Sequence, residues 1–174
     1  DWRVGQIDKL DNVEVFPESK MTANDILSLG VEHVLIATGA KWAGDAIGRH
    51  SDTGFGIANP NMILSAETIL DGSHISARKI VIYDDDHYYL GSVIALELRR
   101  HGHEVVLVTP ASSACSWGGY TDEQATSNAA LISAGVTIIT NQIIQDVEDG
   151  FARLSSVISA NTSELECNAV IPLT

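Results

Sequence analysis

The chain has 174 residues, 45% of them hydrophobic, so its composition predicts a packed core and excludes a disordered protein. A formal net charge of −13 argues against nucleic acid and anionic membranes as partners, because their phosphates would be repelled. No apolar run approaches the length of a membrane span, and the absence of a Cys-x-x-Cys pair excludes iron–sulfur or zinc-ribbon ligation within the chain.

Cys115 and Cys167 are the two cysteines of the chain. Their separation would allow a disulfide, but we favour two reduced thiols in a cytoplasmic protein. The sequence does not begin with Met, and it starts and ends within patterned segments. We therefore expect it to be a fragment of a larger protein.

The N-terminal part of the sequence alternates short apolar runs with helix signals. Thr22 followed by Asp25 has the spacing of a capping box, and Gly30 is suited to a helix end. The patterns predict, in chain order, a strand over 12–16, a helix over 23–29, a strand over 31–38, a long loop over 40–60 and a helix over 65–70.

The second half of the sequence opens with a strand–helix–strand unit. Asp149-Gly150 is typical of a hairpin turn, and residues 121–124 resemble a second capping box. The predicted elements are a strand over 80–85, a helix over 89–101, a strand over 105–108, a helix from 121–124 to about 134, and strands over 136–140, 143–147, 151–159 and 165–172. This order predicts an α/β fold, a Rossmann-like domain of the FAD/NAD(P)-binding type with a three-stranded antiparallel meander.

The turn inside the strand–helix–strand unit has the layout of a dinucleotide-binding fingerprint. The pattern Gly-x-Gly-x-x-Gly would place glycines at Asp86, Tyr88 and Gly91, and only the third position is glycine. The Tyr88 ring would occupy the phosphate position, and the acids of residues 84–86 would repel a phosphate. Thr109-Pro110 stands where an acid should hold the ribose. We therefore predict that this fingerprint is degenerate and vacant, with no cofactor bound tightly to the chain.

A metal site at the same turn is an alternative, because Asp84, Asp85, Asp86 and His87 all carry ligand atoms. Consecutive residues of a strand point to opposite faces, so at most two of them could converge, and we expect no native metal site. The simpler interpretation is that acidic side chains cap the first N–H groups of the helix and that the tyrosines fill the empty nucleotide space. The remaining histidines are scattered, and no site is assigned to them.

Several stretches together resemble a known family. Residues 81–91, followed by 102–111, are similar to the C-terminal nucleotide-binding-like region of trimethylamine, dimethylamine and histamine dehydrogenases, which belong to the NADH:flavin oxidoreductases together with 2,4-dienoyl-CoA reductase. Residues 33–40 resemble the Ala-Thr-Gly strand of glutathione-reductase-like flavoproteins, 65–72 the helix before their second nucleotide-binding unit, and 168–174 the strand that returns to the first. The resemblance covers nearly the whole chain.

The resemblance implies a parent oxidoreductase with an N-terminal β/α barrel that carries FMN and a four-iron cluster, and it implies that Ala37, Thr38 and Gly39 lie near a first nucleotide, ADP or FAD. It further implies an electron-transferring flavoprotein as partner. The parent is expected to be a homo-oligomer. No catalytic residue is carried over to this chain.

Four segments follow from these observations. Residues 1–40 are a fragment of a first nucleotide-binding-like domain, 41–78 a connecting loop and short helix, 79–165 an NAD(P)-binding-like domain and 166–174 a strand returning to the first domain. We interpret the chain as a degenerate dinucleotide-binding domain of an amine dehydrogenase-like enzyme, with a role in structure or in docking an electron partner. A working NAD(P)H-binding domain and an FAD or ADP module are the alternatives.

Overall fold

A computed structural model describes residues 2–174 of the chain. Its helices are α1 (Trp2–Ile7), α2 (Ala23–Ser28), α3 (Ala66–Leu70), α4 (Leu90–Arg100) and α5 (Gln124–Ser133). Its strands are β1 (Gly56–Ile57), β2 (Lys79–Asp84), β3 (Glu104–Val108), β4 (Thr137–Ile139), β5 (Gln142–Glu148), β6 (Phe151–Ser156), β7 (Thr162–Glu166) and β8 (Ala169–Leu173). Short 3-10 helices span Pro60–Met62 and Ser116–Tyr120. Among the described residues, no helix combines the length and the apolar character that crossing a bilayer requires.

The chain divides into two compact units between Gly39 and Ala40. In the first unit, α2 begins with the predicted capping box: the Thr22 hydroxyl accepts a hydrogen bond from the Asp25 N–H, and the Asp25 carboxylate accepts one from the Thr22 N–H. The predicted strands over 12–16 and 31–38 are wrong, since residues 2–39 contain no strand. A strand needs a hydrogen-bonded neighbour, and this unit supplies none among its described residues. Asp1, the first residue of the expected 1–40 fragment, lies outside the described residues.

The second unit is built on a parallel sheet with the strand order β4-β3-β2-β8. Side chains of β2 alternate between its two faces: Ile80 and Ile82 pack against the helices, whereas Val81 and Tyr83 pack against a second sheet. Helix α4 connects β2 to β3 and buries Ile94 and Leu98 in the helix-side core. This strand–helix–strand unit confirms the predicted Rossmann-like α/β architecture.

The second sheet has the order β1-β5-β6-β7. Strands β5, β6 and β7 are antiparallel neighbours and form the predicted three-stranded meander, with Asp149-Gly150 as the turn between β5 and β6. β1 adds to the edge of this meander as a parallel strand. The two sheets enclose a second core, to which Ile144 and Leu154 contribute from the meander.

Two predicted elements of this unit are wrong. The single strand over 165–172 is two strands, because Cys167 and Asn168 carry the chain from β7 in the meander to β8 beside β2. The sequence hides this change of sheet, since buried Cys167 continues the apolar pattern. The second capping box is absent as well: α5 has Glu123 at its N-cap without a side-chain cap, and the Thr121 hydroxyl bonds the Glu123 carboxylate instead.

Candidate functional site: the crevice at the carboxyl ends of the parallel strands

The candidate site lies where β2 and β8 end side by side. The chain continues from β2 through α4 to β3, which pairs with one edge of β2, whereas β8 pairs with the other edge. The strand order therefore reverses between β2 and β8. Open α/β sheets bind ligands at such a reversal, outside the carboxyl ends of the strands. The turn from β2 into α4, residues 85–89, lies at this end of the sheet.

Gly91 keeps the third role of the fingerprint, the close approach of helix and strand. A Cβ atom at this position would lie 3.0 Å from both Cγ and Oδ2 of Asp84, so a larger residue would push α4 away from β2. The other two fingerprint positions differ in exposure: Asp86 is half-buried and Tyr88 is exposed. Between them, His87 takes the left-handed backbone conformation, with φ 69°.

Asp84 is the last residue of β2 and is fully buried. Its Oδ1 accepts a hydrogen bond from the His87 N–H at 3.0 Å, while its Oδ2 has no partner. Burial raises the pKa of Asp84 to about 6. The predicted helix cap is wrong, because the N-cap residue of α4, Tyr89, makes no side-chain hydrogen bond and Asp84 binds the turn instead.

Asp85 lies at the centre of a cluster that includes two histidines. Its Oδ1 is 2.6 Å from Nδ1 of His50 and 3.3 Å from Nε2 of His87. Its Oδ2 accepts a hydrogen bond from the His50 N–H at 3.0 Å. Burial acts to raise the pKa of Asp85, but the hydrogen bonds from His87 and His50 outweigh it and hold that pKa below its ordinary value. The carboxylate is therefore ionised at neutral pH and ties two segments of the chain together.

The loop that carries His50 approaches the strand ends closely. A Cβ atom at Gly48 would lie 2.5 Å from Asp85 Oδ2 and 2.8 Å from Cβ of Thr174, which follows β8. Only glycine permits this approach. The loop thus lies against the carboxyl ends of both β2 and β8, on the strand reversal itself.

The segment after β3 lies over the same turn from the other side. The Trp117 N–H donates a hydrogen bond to the His87 carbonyl at 3.0 Å. The Trp117 ring contacts Tyr88 at 5.8 Å between centroids, and the Arg49 guanidinium stacks on it at 4.0 Å. Tyr88 and Tyr89 are 36% and 55% exposed, and their place in the nucleotide space stays a prediction. The main chain around Trp117 covers the turn.

The position where a ribose-binding acid would stand holds Thr109, as the sequence shows, and this residue is fully buried. Its hydroxyl accepts a hydrogen bond from the Ala111 N–H at 3.2 Å. The N-terminal positions Ala37, Thr38 and Gly39 lie in the first unit as exposed, irregular backbone rather than at a strand end.

Sequence reasoning missed His50. It lies 35 residues before Asp85, in a loop without periodicity, so no spacing rule links the two residues. The weak signal was a histidine within a Gly- and Asp-rich loop that precedes a nucleotide-type turn. Of the acids considered as ligands, only Asp85 comes into contact with both histidines.

The cysteines do not provide a cofactor site. Cys115 and Cys167 are free and buried, and burial raises the pKa of the Cys167 thiol to about 11. A four-iron cluster takes four cysteines, and the chain contains two. Such a cluster cannot be ligated by this chain alone.

A family model described as the OYE-like second alpha/beta domain matches residues 64–169, more than half of the chain. The chain belongs to this family. The match covers the parallel sheet up to the start of β8 and the whole meander, so it includes the turn after β2 but not the loop that carries Gly48 and His50.

Known relatives of this OYE-like domain are amine-oxidising enzymes. Dimethylamine dehydrogenase of Hyphomicrobium sp. (strain x) is 28% identical over 167 residues, which are 90% of this chain and 22% of the relative. The solved structure of 6-hydroxypseudooxynicotine amine oxidase from Pseudomonas geniculata N1 is 31% identical with a TM-score of 0.91, covering 99% of this chain and 26% of that one. Histamine dehydrogenase from Rhizobium sp. 4-9 is 33% identical with a TM-score of 0.90, covering 99% and 27%.

These comparisons confirm the resemblance to the trimethylamine dehydrogenase group of NADH:flavin oxidoreductases. The OYE-like domain spans about a quarter of the length of the relatives that it matches. It is accordingly a domain of a larger protein.

Proposed function

We propose that this OYE-like domain is a dinucleotide-binding domain that has lost its nucleotide and serves its parent enzyme as a structural module. The observation that carries the proposal is the covered turn. The Trp117 N–H already bonds the His87 carbonyl inside the fingerprint, and the loop at Gly48 lies against the strand ends. A pyrophosphate would have to displace both segments to reach the N-terminus of α4.

Electrostatics support the same proposal. Asp85 is buried and held ionised, and Asp84 and Asp86 flank it in the sequence. Two like charges about 4 Å apart repel by about 1 kcal/mol in water and about 4 kcal/mol near a protein surface. A helix N-terminus stabilises an anion by only about 0.3 to 2 kcal/mol. Repulsion of this size would offset most of what α4 offers a phosphate.

We infer that the parent is a flavin-dependent oxidoreductase that acts on an amine, as the names of its relatives state for them. FMN and a four-iron cluster belong to the rest of the parent, because this chain lacks the cysteines for the cluster. The flavin would take electrons from the substrate, and the role of this chain is to pack against the remaining domains. Its exposed apolar residues between Trp2 and Ile36 are suited to that packing.

In this proposal, electrons do not arrive from a nicotinamide at this turn. They leave the parent to an electron-transferring flavoprotein, and the first nucleotide-binding-like domain, with Ala37, Thr38 and Gly39 near its ligand, holds ADP or FAD.

Calorimetric titration of the 174-residue chain with NADH and with NADPH tests the vacancy. We expect no dissociation constant below about 1 mM, which corresponds to a binding free energy of about −4 kcal/mol. The double variant Asp86→Gly/Tyr88→Gly is the matched comparison, since it restores the two missing glycines and keeps the main-chain bond from Trp117 to His87. We expect it to stay silent too, because the loops remain in place. Micromolar binding by the unchanged chain would overturn the proposal and favour a working reductase domain.

A further inference from the structure

We propose that His50, Asp85 and His87 bind one divalent transition-metal ion of the zinc class. The three side chains come from two separate segments, the loop at Gly48 and the turn after β2, and each offers one ligand atom. These atoms lie within 4.8 Å of one another. The inference goes beyond the proposed nucleotide vacancy, since it concerns a different ligand at the same turn.

The donor atoms converge in the way that a metal requires. In a tetrahedral site with metal–ligand distances of about 2.0 to 2.1 Å, neighbouring ligand atoms are about 3.3 Å apart. The separation between His87 Nε2 and Asp85 Oδ1 is 3.3 Å. His50 Nδ1 lies closer to the same oxygen, at 2.6 Å, and has to retreat by less than an ångström to share an ion. The two imidazole rings are set edge to face, with centroids 5.6 Å apart.

A second observation comes from the far side of the His87 ring. Its Nδ1 is buried without a hydrogen-bond partner, and so is Asp84 Oδ2, three residues earlier in the same turn. Leaving a buried polar atom unpaired costs about 1 to 3 kcal/mol. A metal on Nε2 would fix the proton of His87 on Nδ1 and make that atom a hydrogen-bond donor. Metal-ligating histidines almost always direct this second N–H to a carboxylate, a backbone carbonyl or water.

The ligand set and its exposure indicate the kind of ion. Two imidazoles and one carboxylate suit zinc and its first-row neighbours rather than magnesium or calcium, which prefer oxygen ligands alone. Asp85 and His87 are almost fully buried, while the His50 side chain is 38% exposed, so water can complete the coordination on that side. The bound ion would pin the loop to the turn, at the place where other members of the fold hold a pyrophosphate.

The test is zinc titration of the untagged 174-residue chain after removal of metals with EDTA and dialysis. We expect one equivalent of Zn²⁺ to bind, and Co²⁺ to give the visible absorption bands of a four-coordinate N₂O₂ site, in which water is the fourth ligand. His50→Gln should weaken binding at least about tenfold, the loss typical even of changes outside the ligand shell. His50 is half-exposed, so this variant should keep the fold, which circular dichroism verifies.

His101→Gln is the matched control, because His101 also pairs with a carboxylate, at 3.5 Å from Glu97, but lies exposed at the C-cap of α4. It should bind zinc like the unchanged chain, and Asp85→Asn should lose binding as His50→Gln does. The proposal is overturned if the unchanged chain binds no zinc, or if it binds with equal affinity in all four proteins. Neither result would bear on the NADH titration, so failure of the metal site and failure of the proposed vacancy are distinguishable.

Discussion

Similar apolar runs occur in residues 2–39 and in residues 40–174, but they are exposed in the first region and buried in the second. Ile82, in the run that forms β2, is fully buried between β3 and β8. Ile36, in the run over 31–38, is 81% exposed. The first unit has no buried residue among those described, whereas the second has cores on both faces of its parallel sheet. An apolar run therefore forms a strand only where a neighbouring strand is present to pair with it.

The largest difference should appear in amide hydrogen exchange. Amides of β2 and β3 should exchange only through global unfolding, at a cost of about 5 to 15 kcal/mol. Amides of α2 should exchange almost as in a free peptide, because a helix this short is marginal in water without packing. We expect the two regions to differ by at least about 1,000-fold in rate, measured by mass spectrometry. Equal protection of the amides of α2 and β2 would contradict the difference between the two units.

Truncation of one leucine in each unit should give the next largest effect. Leu107→Ala, at a fully buried position of β3, should lower the free energy of unfolding by about 2 to 5 kcal/mol. Leu35→Ala, at a position 96% exposed, should change it by less than about 0.5 kcal/mol. Urea denaturation followed by circular dichroism measures both. If Leu35→Ala instead lowered the free energy of unfolding by more than about 1 kcal/mol, the first unit would have a core of its own.

The buried acid Asp84 should make stability depend on pH. Its pKa is raised from 3.8 to about 6 in the folded chain, so between these values the folded state holds a proton that the unfolded state has released. Stability contributed by this group is therefore present at low pH and is lost as the pH rises through about 6. Asp84→Asn, measured in EDTA, should gain about 1 to 3 kcal/mol over the unchanged chain at pH 7.5, and nothing at pH 4.

Asp25→Asn serves as the control from the first unit. The hydrogen bonds from Thr22 lower the pKa of exposed Asp25, which is the opposite direction. Relative to the unchanged chain, Asp25→Asn should show no gain in the free energy of unfolding as the pH rises. If Asp84→Asn behaves in the same way, then burial of Asp84 does not disfavour its charge.

The smallest expected effect is the difference in stability lost when the cap of α3 or the cap of α2 is removed. The Ser65 hydroxyl accepts a hydrogen bond from the Thr68 N–H at the start of α3, and the Thr22 hydroxyl does the same for Asp25 in α2. Ser65→Ala should cost about 0.5 to 2 kcal/mol of global stability, since α3 packs on the core. Thr22→Ala should leave the urea midpoint unchanged, because α2 buries no residue. Equal losses would contradict the division into two units.

Local patterns predicted those elements that local interactions define. The capping box at Thr22, the helix from Ala66 to Leu70 and the hairpin at Asp149-Gly150 depend on residues a few positions apart. The Rossmann-like unit was also predictable, because the apolar runs and the helix between them follow each other directly. Of the fingerprint positions, Asp86 and Tyr88 lie in the turn before α4, and Gly91 is the second residue of that helix.

The amino-acid pattern was sufficient to predict the family, the α/β class and the residues of the turn. The tertiary structure fixed which apolar runs became strands, where the chain left the meander for β8, and which residues covered the turn. It also brought His50 to Asp85 across 35 positions. The physical reason is the same in each case: these outcomes depend on contacts between segments distant in sequence, which no periodicity or spacing rule encodes.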